Sequence, residues 1–98
     1  MAEVRLTAAA IADLAEIGEY GAHTFGDETA DSYQRTLDRV FTRLETFPNS
    51  GEARPEYGEG IRCVVHRSHR ILYLVQGESV VVARILHHSR DVPRHLES

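Results

Sequence analysis

Histidine and arginine side chains recur in the second half of this sequence, and they are the residues best suited to chemistry. His66 and His69 are separated by two residues, and His88 directly follows His87. Cleavage of a phosphodiester without a metal needs a general base, a general acid and cations that stabilise the phosphorane. The side chains that could take these roles are Arg62, Arg70, Arg84, His87 and His88. However, residues 84 and 87 point to opposite faces of a regular strand, which argues against a shared catalytic site.

The histidines could also bind a metal, but their surroundings lack the partners that metal sites require. No cysteine pair and no HExxH helix accompanies them, and residues 66–69 are better explained as a tight hairpin turn between two strands. The sequence also lacks a glycine-rich phosphate loop and a serine nucleophile elbow. We therefore expect neither a metal nor a cofactor.

The single cysteine, Cys63, excludes an intramolecular disulfide. Its neighbours Ile61, Val64 and Val65 are apolar, which favours a small buried hydrophobic side chain over a reactive thiol. Strand alternation places Arg62 on the opposite face, so this cation is not expected to activate the thiol.

Length and composition predict one small domain that spans residues 1–98. The chain is 42% hydrophobic and 27% charged, which is typical of a soluble protein. No apolar run is long enough to cross a bilayer, and residues 1–6 lack the apolar segment of a secretory signal. We therefore expect a cytoplasmic protein that does not contact a membrane.

Charge is unevenly distributed along the chain, whose formal net charge is −4. Residues 1–53 contain four arginines and ten acidic residues, a balance of −6, whereas residues 54–98 contain seven arginines and five acidic residues, a balance of +2. All eleven cationic residues are arginine. Arginine favours planar, bidentate contacts, although coding bias explains the same composition.

The first half of the chain predicts one strand and two helices. Residues 3–6 alternate polar and apolar side chains, as in a half-buried strand, and Thr7 is a suitable helix N-cap. An alanine-rich helix follows and ends near residues 21–26, which contain two glycines. Asp27 begins a second helix, which Pro48 ends.

The second helix has the clearest amphipathic pattern. Its apolar residues, which recur at offsets of three, four and seven, are Ala30, Tyr33, Leu37, Val40, Phe41, Leu44 and Phe47. The opposite face carries Asp31, Arg35, Arg39 and Arg43 at successive offsets of four. Such an arginine stripe can bind an acidic partner, but it is also typical of a solvated helix face.

Three strands complete the domain, at residues 61–67, 69–76 and 79–87, after a loop at 49–60 that is rich in turn signals. Their short connections require an antiparallel meander. The predicted fold is therefore α+β with the order β-α-α-β-β-β, in which a helical hairpin packs on one face of a small antiparallel sheet.

Both faces of the final strand are apolar. Alternation places Val80, Val82, Arg84 and Leu86 on one face, and Val81, Ala83 and Ile85 on the other. A helical hairpin covers only one face of the sheet. The other face is then either a docking surface rimmed with arginine or is covered by the tail from about residue 92. The residues alone leave both alternatives open.

Four segments, in order over most of the chain, resemble the RelE/ParE superfamily of bacterial type II toxins, and more closely its ParE branch. The segments are the alanine-rich first helix with Asp13, Leu14, Ile17 and Tyr20; LETFPNSG at 44–51 with Arg54; Gly60, Ile61 and Arg62 followed by residues 69–73; and residues 84–87 with Asp91.

The resemblance implies a toxin that is held inactive by a cognate antitoxin, whose C-terminal segment wraps the helical hairpin and the sheet. ParE-like toxins inhibit DNA gyrase, whereas RelE-like toxins cleave mRNA in the ribosome. We favour gyrase inhibition, because a net charge of −4 opposes docking to ribosomal RNA. On this interpretation the protein is not an enzyme, and it forms a hetero-oligomer with a ParD-like antitoxin that has an acidic C-terminal segment.

Three sets of candidate site residues follow. The expected target-inhibition surface comprises Arg62, Arg70, Arg84, His87, His88, Arg90 and Arg94. The expected antitoxin-binding surface comprises Leu72, Leu74, Val80, Val82 and Leu86, with Arg35, Arg39 and Arg43. Under the alternative of a RelE-like endonuclease, the catalytic residues are Arg62, Arg84 and His87.

Overall fold

In the computed structural model, which describes residues 1–90 and residue 92, two helices pack on one face of a five-stranded sheet. The first strand, β1, spans Glu3–Leu6 and is followed by α1 at Ala8–Phe25 and α2 at Asp27–Thr46. The remaining elements are β2 (Glu52–Ala53), a 3₁₀ turn (Pro55–Tyr57), β3 (Arg62–His66), β4 (His69–Gln76) and β5 (Ser79–His87). The predicted α+β fold and element order are confirmed, with β2 as an additional short strand.

Local sequence signals account for both helices. The Thr7 hydroxyl caps α1 by accepting a hydrogen bond from the Ala10 amide at 3.1 Å. Gly26 alone connects α1 to α2, and its φ of 94° lies in the left-handed region that glycine adopts without the clash of a Cβ. The two helices therefore pack side by side as a hairpin. In the described residues, no helix is both long and apolar enough to cross a membrane.

The strands lie in the order β1-β5-β4-β3-β2. The β2–β3, β3–β4 and β4–β5 pairs are antiparallel, as their short connections require. β1 instead pairs with β5 in parallel, with Glu3 opposite Ser79 and Leu6 opposite Val82. The sheet is therefore mixed rather than antiparallel throughout.

A β-bulge at Ala83 changes the alternation of side chains along β5. The register of β5 against β4 shifts by one residue at this point. Val80 and Val82 consequently lie on the helix-covered face together with Ile85. Leu86 lies on the opposite face. The expectation that Val80, Val82 and Leu86 share one face is wrong for this reason.

Hydrophobic clusters lie on both faces of the sheet. The larger one, between the helices and the sheet, includes Ala10, Leu37, Leu44, Ile71, Tyr73, Val80, Val82 and Ile85. The smaller one contains Ile61, Cys63, Leu72, Leu86 and Val92. Because Val92 is only 2% exposed, residue 92 covers part of the face that a helical hairpin leaves open.

Candidate functional site

A buried ion pair attaches the end of β5 to α1. The Asp13 carboxylate accepts hydrogen bonds from Nε and Nη2 of Arg84, both at 2.8 Å, and from the Ile85 amide at 2.9 Å. Asp13 is 6% exposed, and its hydrogen bond raises the pKa of the Arg84 guanidinium. Since β1 pairs with β5 only as far as Val82, Asp13 satisfies an amide on the edge that β1 does not reach.

The sequence predicts Arg84 for the target surface and for catalysis, but its guanidinium is directed to Asp13. The sequence does not reveal the ion pair between Asp13 and Arg84, because the two residues are 71 positions apart. One signal was present in the first helix. Asp13 recurs at helical spacing with Ala10, Leu14 and Ile17, so a carboxylate lies on the inward face, where it needs a buried partner.

Arg62 holds the loop that follows α2. Its Nη1 donates to the carbonyl oxygens of Asn49 at 3.2 Å and of Gly51 at 2.8 Å. The Gly51 amide donates to Tyr73 Oη at 2.7 Å, and Tyr73 lies opposite Arg62 in the β3–β4 pair. A Cβ on Gly51 would lie 2.5 Å from Tyr73 Oη, so glycine permits this close approach.

The three residues of the endonuclease alternative are not brought together. His87 on β5 pairs with His69 on β4, and His69 pairs with His66 on β3. Arg62 is four residues from His66 along β3, which corresponds to about 13 Å. Arg84 is held in its ion pair with α1. The arrangement therefore provides no shared site for Arg62, Arg84 and His87.

Tyr33 and Thr36 of α2 form hydrogen bonds with the β3–β4 hairpin, one of them from the Tyr33 hydroxyl to the His66 carbonyl at 3.4 Å. Tyr33 Oη lies 2.6 Å from His69 Nδ1, and Thr36 Oγ1 lies 2.9 Å from His66 Nε2. Because the Thr36 hydroxyl already donates to the Tyr33 carbonyl at 2.6 Å, the His66 ring must donate through Nε2. Burial is the main cause that lowers the pKa of both imidazoles, followed by Arg67 for His66 and by the neighbouring histidines for His69.

Exposed basic side chains lie beside these two histidines. His87, His88 and Arg90 are exposed at the end of β5, and Arg67 is exposed in the β3–β4 turn. The His88 amide donates to the Ser68 carbonyl at 2.8 Å, which joins the two segments. No ion pair within the described part of the chain involves Arg67 or Arg90. We refer to Arg67, His87, His88 and Arg90 as the basic patch.

A groove of about 1250 Å³ is lined in part by Arg67, His87 and Arg90 of the basic patch. Residues of α1, including Glu16, Glu19, Tyr20 and Phe25, line it together with the β3–β4 turn and the end of β5. Tyr20 and Phe25 are 68% and 64% exposed, and their rings pack edge to face with centroids 6.4 Å apart. The groove is therefore an exposed apolar surface that has acidic residues on α1 and basic residues on the sheet side.

The sheet residues expected to bind an antitoxin do not form an open face. Val80 and Val82 are fully buried beneath the helices. Leu72 and Leu86 are buried in the smaller cluster, and Leu74 is half-buried beside it. The reason is that the helices cover one face of the sheet and residue 92 covers part of the other.

The remaining candidate residues have varied positions. Arg35, Arg39 and Arg43 are exposed on α2, as the stripe predicts. Arg70 is half-buried on β4, opposite Leu86 in the sheet. Arg94 lies outside the described residues.

The structure places the other chemically distinctive groups as follows. Cys63 is buried, and burial raises the pKa of its thiol, which agrees with the predicted packing role. Among the residues that the structure describes, no group of three or more histidine, cysteine, aspartate or glutamate side chains is placed to hold a metal ion.

Comparisons with known proteins identify relatives of nearly the whole chain. The family described as the ParE toxin of the type II toxin-antitoxin system parDE matches residues 4–92. Toxin ParE1 of Mycobacterium tuberculosis (strain ATCC 25618 / H37Rv) is 36% identical over 92 residues, which are 93% of this chain and 94% of that protein. Toxin ParE1 of Caulobacter vibrioides is 32% identical over 96 residues, with coverage of 98% and 99%.

A solved structure described as a chromosomal ParDE toxin-antitoxin system from P. aeruginosa shows the same fold. Its matching chain is 25% identical to this one and superposes with a TM-score of 0.77. The match covers 89% of this chain and 96% of that chain. The arrangement of helices and strands, the match over residues 4–92 and these relatives agree: the chain belongs to the ParE toxin family of type II toxin-antitoxin systems, within the RelE/ParE superfamily.

Proposed function

We propose that this protein inhibits DNA gyrase by binding it, and that a cognate ParD-like antitoxin neutralises it through an acidic C-terminal segment. The observation that carries this proposal is the exposed basic patch next to an exposed apolar groove. Such a combination is suited to contacts with macromolecules. Membership of the ParE family supports the same target class.

The hydrogen bonds that Arg84 and Arg62 form within the fold support a binding function over a catalytic one. Arg84 is 19% exposed at its side chain and bound to Asp13, and Arg62 is bound to loop carbonyls. Neither is available to stabilise a phosphorane beside His87, so the endonuclease alternative lacks its cationic groups.

The target surface that we propose is smaller than the set expected from the sequence. Its members are His87, His88 and Arg90, which are exposed and adjacent at the end of β5, together with Arg67. Arg70 is half-buried on the opposite face of the sheet from the helices, where it lies at the edge of the smaller cluster.

The antitoxin surface that we propose consists of the groove and the exposed arginines of α2. Tyr20 and Phe25 supply apolar contact area, and Arg35, Arg39 and Arg43 supply charges that complement an acidic segment. A chain bound in the groove would also cover the basic patch, because both share the end of β5. Neutralisation then follows from direct occlusion of the target surface.

Inducible expression in bacteria without the antitoxin tests the proposed target. We would measure the DNA-damage response and the incorporation of labelled amino acids during the first minutes. Gyrase inhibition predicts an early damage response while translation continues. Immediate translation arrest with cut transcripts would instead identify an endonuclease, and the absence of both effects would identify a binding module without toxicity.

Two variants, each lacking one arginine, test the proposed target surface in this experiment. Arg90→Ala removes a charge from the basic patch, and Arg5→Ala removes one from β1, where Arg5 is exposed far from the β3–β4 turn. We expect Arg90→Ala to reduce the damage response and Arg5→Ala to preserve it. Equal effects of the two variants would contradict the proposed target surface.

A further inference from the structure

We propose that the basic patch binds backbone phosphates of duplex DNA directly, so that the toxin contacts DNA held by its target as well as the target protein. The biological setting of this inference rests on the proposed gyrase target. DNA binding by the patch itself, however, can be measured in the absence of gyrase.

The patch gathers hydrogen-bond donors from separate segments at one end of the sheet. The Ser89 amide donates to His87 Nδ1 at 3.2 Å, and the Ser89 hydroxyl lies 2.8 Å from the same nitrogen. Because Nδ1 accepts from the amide, the neutral His87 ring carries its proton on Nε2. Because His87 is an exposed residue, this N–H can donate a hydrogen bond to a ligand.

The arginines of the patch are also positioned for an anion. The Arg67 guanidinium carbon lies 5.7 Å from the Tyr33 ring centroid, a cation–π contact that restrains the side chain. Arg90 follows the turn after β5, where its amide donates to the His87 carbonyl at 2.9 Å. Within residues 1–90, neither guanidinium forms an ion pair with a carboxylate. Both can form charge-assisted hydrogen bonds with phosphate oxygens.

The local charge at the patch is positive although the net charge of the chain is −4. Burial is the main cause that lowers the pKa of His66, and the nearby Arg67 guanidinium lowers it further. The acidic residues Glu16 and Glu19 line the same groove from α1, whereas Arg67 and Arg90 line it from the β3–β4 turn and the segment after β5. A phosphate bound at the basic patch would contact these basic side chains. The local electrostatic potential, rather than the net charge of the chain, governs such contacts.

DNA phosphates fit the patch better than an acidic peptide does. Protein interfaces place aromatic and apolar residues at their centre, with charges at the rim. The patch is instead formed by exposed polar groups throughout, with Ser68 and Ser89 between its basic residues. Arginine, serine and backbone amides are typical partners of phosphate oxygens.

Fluorescence anisotropy with a labelled short DNA duplex, without gyrase, tests this inference. We expect the wild-type chain to bind with a dissociation constant of about 10⁻⁴ to 10⁻⁶ M, the range of non-specific binding. Arg90→Ala and Arg67→Asn should each weaken binding and lower the slope of log K against log salt by about 1. Asparagine is chosen at position 67 because the residue has a φ of 53°, which asparagine tolerates.

Arg5→Ala is the matched control, since it removes the same charge from an exposed position at the other end of the sheet. Absence of wild-type binding at about 50 mM salt would overturn the inference. Equal losses in Arg5→Ala and Arg90→Ala would do the same, because the contact would then be diffuse. If the patch variants weaken only antitoxin binding, the patch is an acidic-peptide site and the inference is wrong.

A supercoiling assay on the same samples separates this inference from the proposed function. Duplex binding without gyrase inhibition would support the phosphate site and contradict the gyrase target. Gyrase inhibition by a chain that does not bind the duplex would support the target and overturn the phosphate site.

Discussion

At the scale of single residues, Asp13 attaches the end of β5 to α1. Its carboxylate accepts three hydrogen bonds and has little contact with water. We expect Asp13→Asn to lower the free energy of unfolding by about 3 kcal/mol, because it removes the charge of one partner from a buried ion pair. Urea denaturation measures this difference.

Asp38→Asn is the control for that measurement, since Asp38 is exposed on α2. Its effect should stay within about 0.5 kcal/mol. If Asp13→Asn were as stable as Asp38→Asn, the ion pair would not be the restraint on β5 that we describe.

Individual site residues were predictable to different degrees. His87, His88 and Arg90 are neighbours in sequence, so their shared location at the strand end follows from chain order. The contacts of Arg62 and Arg84 depend on segments distant in sequence. Residue type alone therefore suggested chemistry for two arginines whose hydrogen bonds stabilise the fold.

At the scale of elements, the hydrogen-bonded junction between α2 and the β3–β4 hairpin is predicted to make stability depend on pH. Because the pKa values of His66 and His69 are lowered in the folded chain, the unfolded chain binds their protons more tightly. The stability that the neutral rings contribute is therefore present above about pH 6.5 and is lost as the pH falls through the lowered values.

Thermal unfolding between about pH 7.5 and about pH 5.5 measures this effect. The wild-type melting temperature should fall with the pH, and the double variant His66→Gln, His69→Gln should reduce that dependence. His23→Gln, at an exposed position of α1, should leave the dependence unchanged. A double variant with the full wild-type pH dependence would show that other groups are responsible.

The arginine stripe of α2 is predicted to contribute to antitoxin affinity. Arg39→Glu places a like charge against an acidic segment, so we expect affinity to fall several-fold and the loss to shrink at high salt. Isothermal titration calorimetry with the cognate antitoxin measures this change. Arg5→Glu is the control on β1, and equal affinities for the wild type and Arg39→Glu would indicate a solvated face without a partner.

Hydrophobic periodicity predicted a helix or strand correctly where the sequence pattern fitted only one type of element. The apolar stripe of α2 and the short turns between β3, β4 and β5 left few alternatives. Three features were missed for physical reasons. β2 has only two residues, which are too few to show an alternation of polar and apolar side chains. The bulge at Ala83 lies in a run where the side chains on both faces of the strand are apolar, so a shift in register does not change the pattern. The parallel pairing of β1 depends on the crossover through both helices rather than on its own residues.

At the scale of the whole molecule, the charged groups that stabilise the fold lie apart from the charged groups that are exposed for binding. Asp13 and Arg84 form a buried pair, whereas Arg67, His87, His88 and Arg90 are exposed at one end. The apolar groove lies next to that end, so one bound antitoxin segment can cover the groove and the basic patch together. On the function that we propose, this adjacency lets a bound antitoxin block target binding without a conformational change.

The most direct test of this account is a supercoiling assay with purified gyrase, relaxed plasmid and the isolated chain. We predict that the chain blocks supercoiling in proportion to its concentration, that Arg90→Ala blocks it less than Arg5→Ala does, and that the cognate antitoxin restores full activity. Undiminished supercoiling at a large excess of folded chain, together with cleavage of mRNA in translating extracts, would contradict the account.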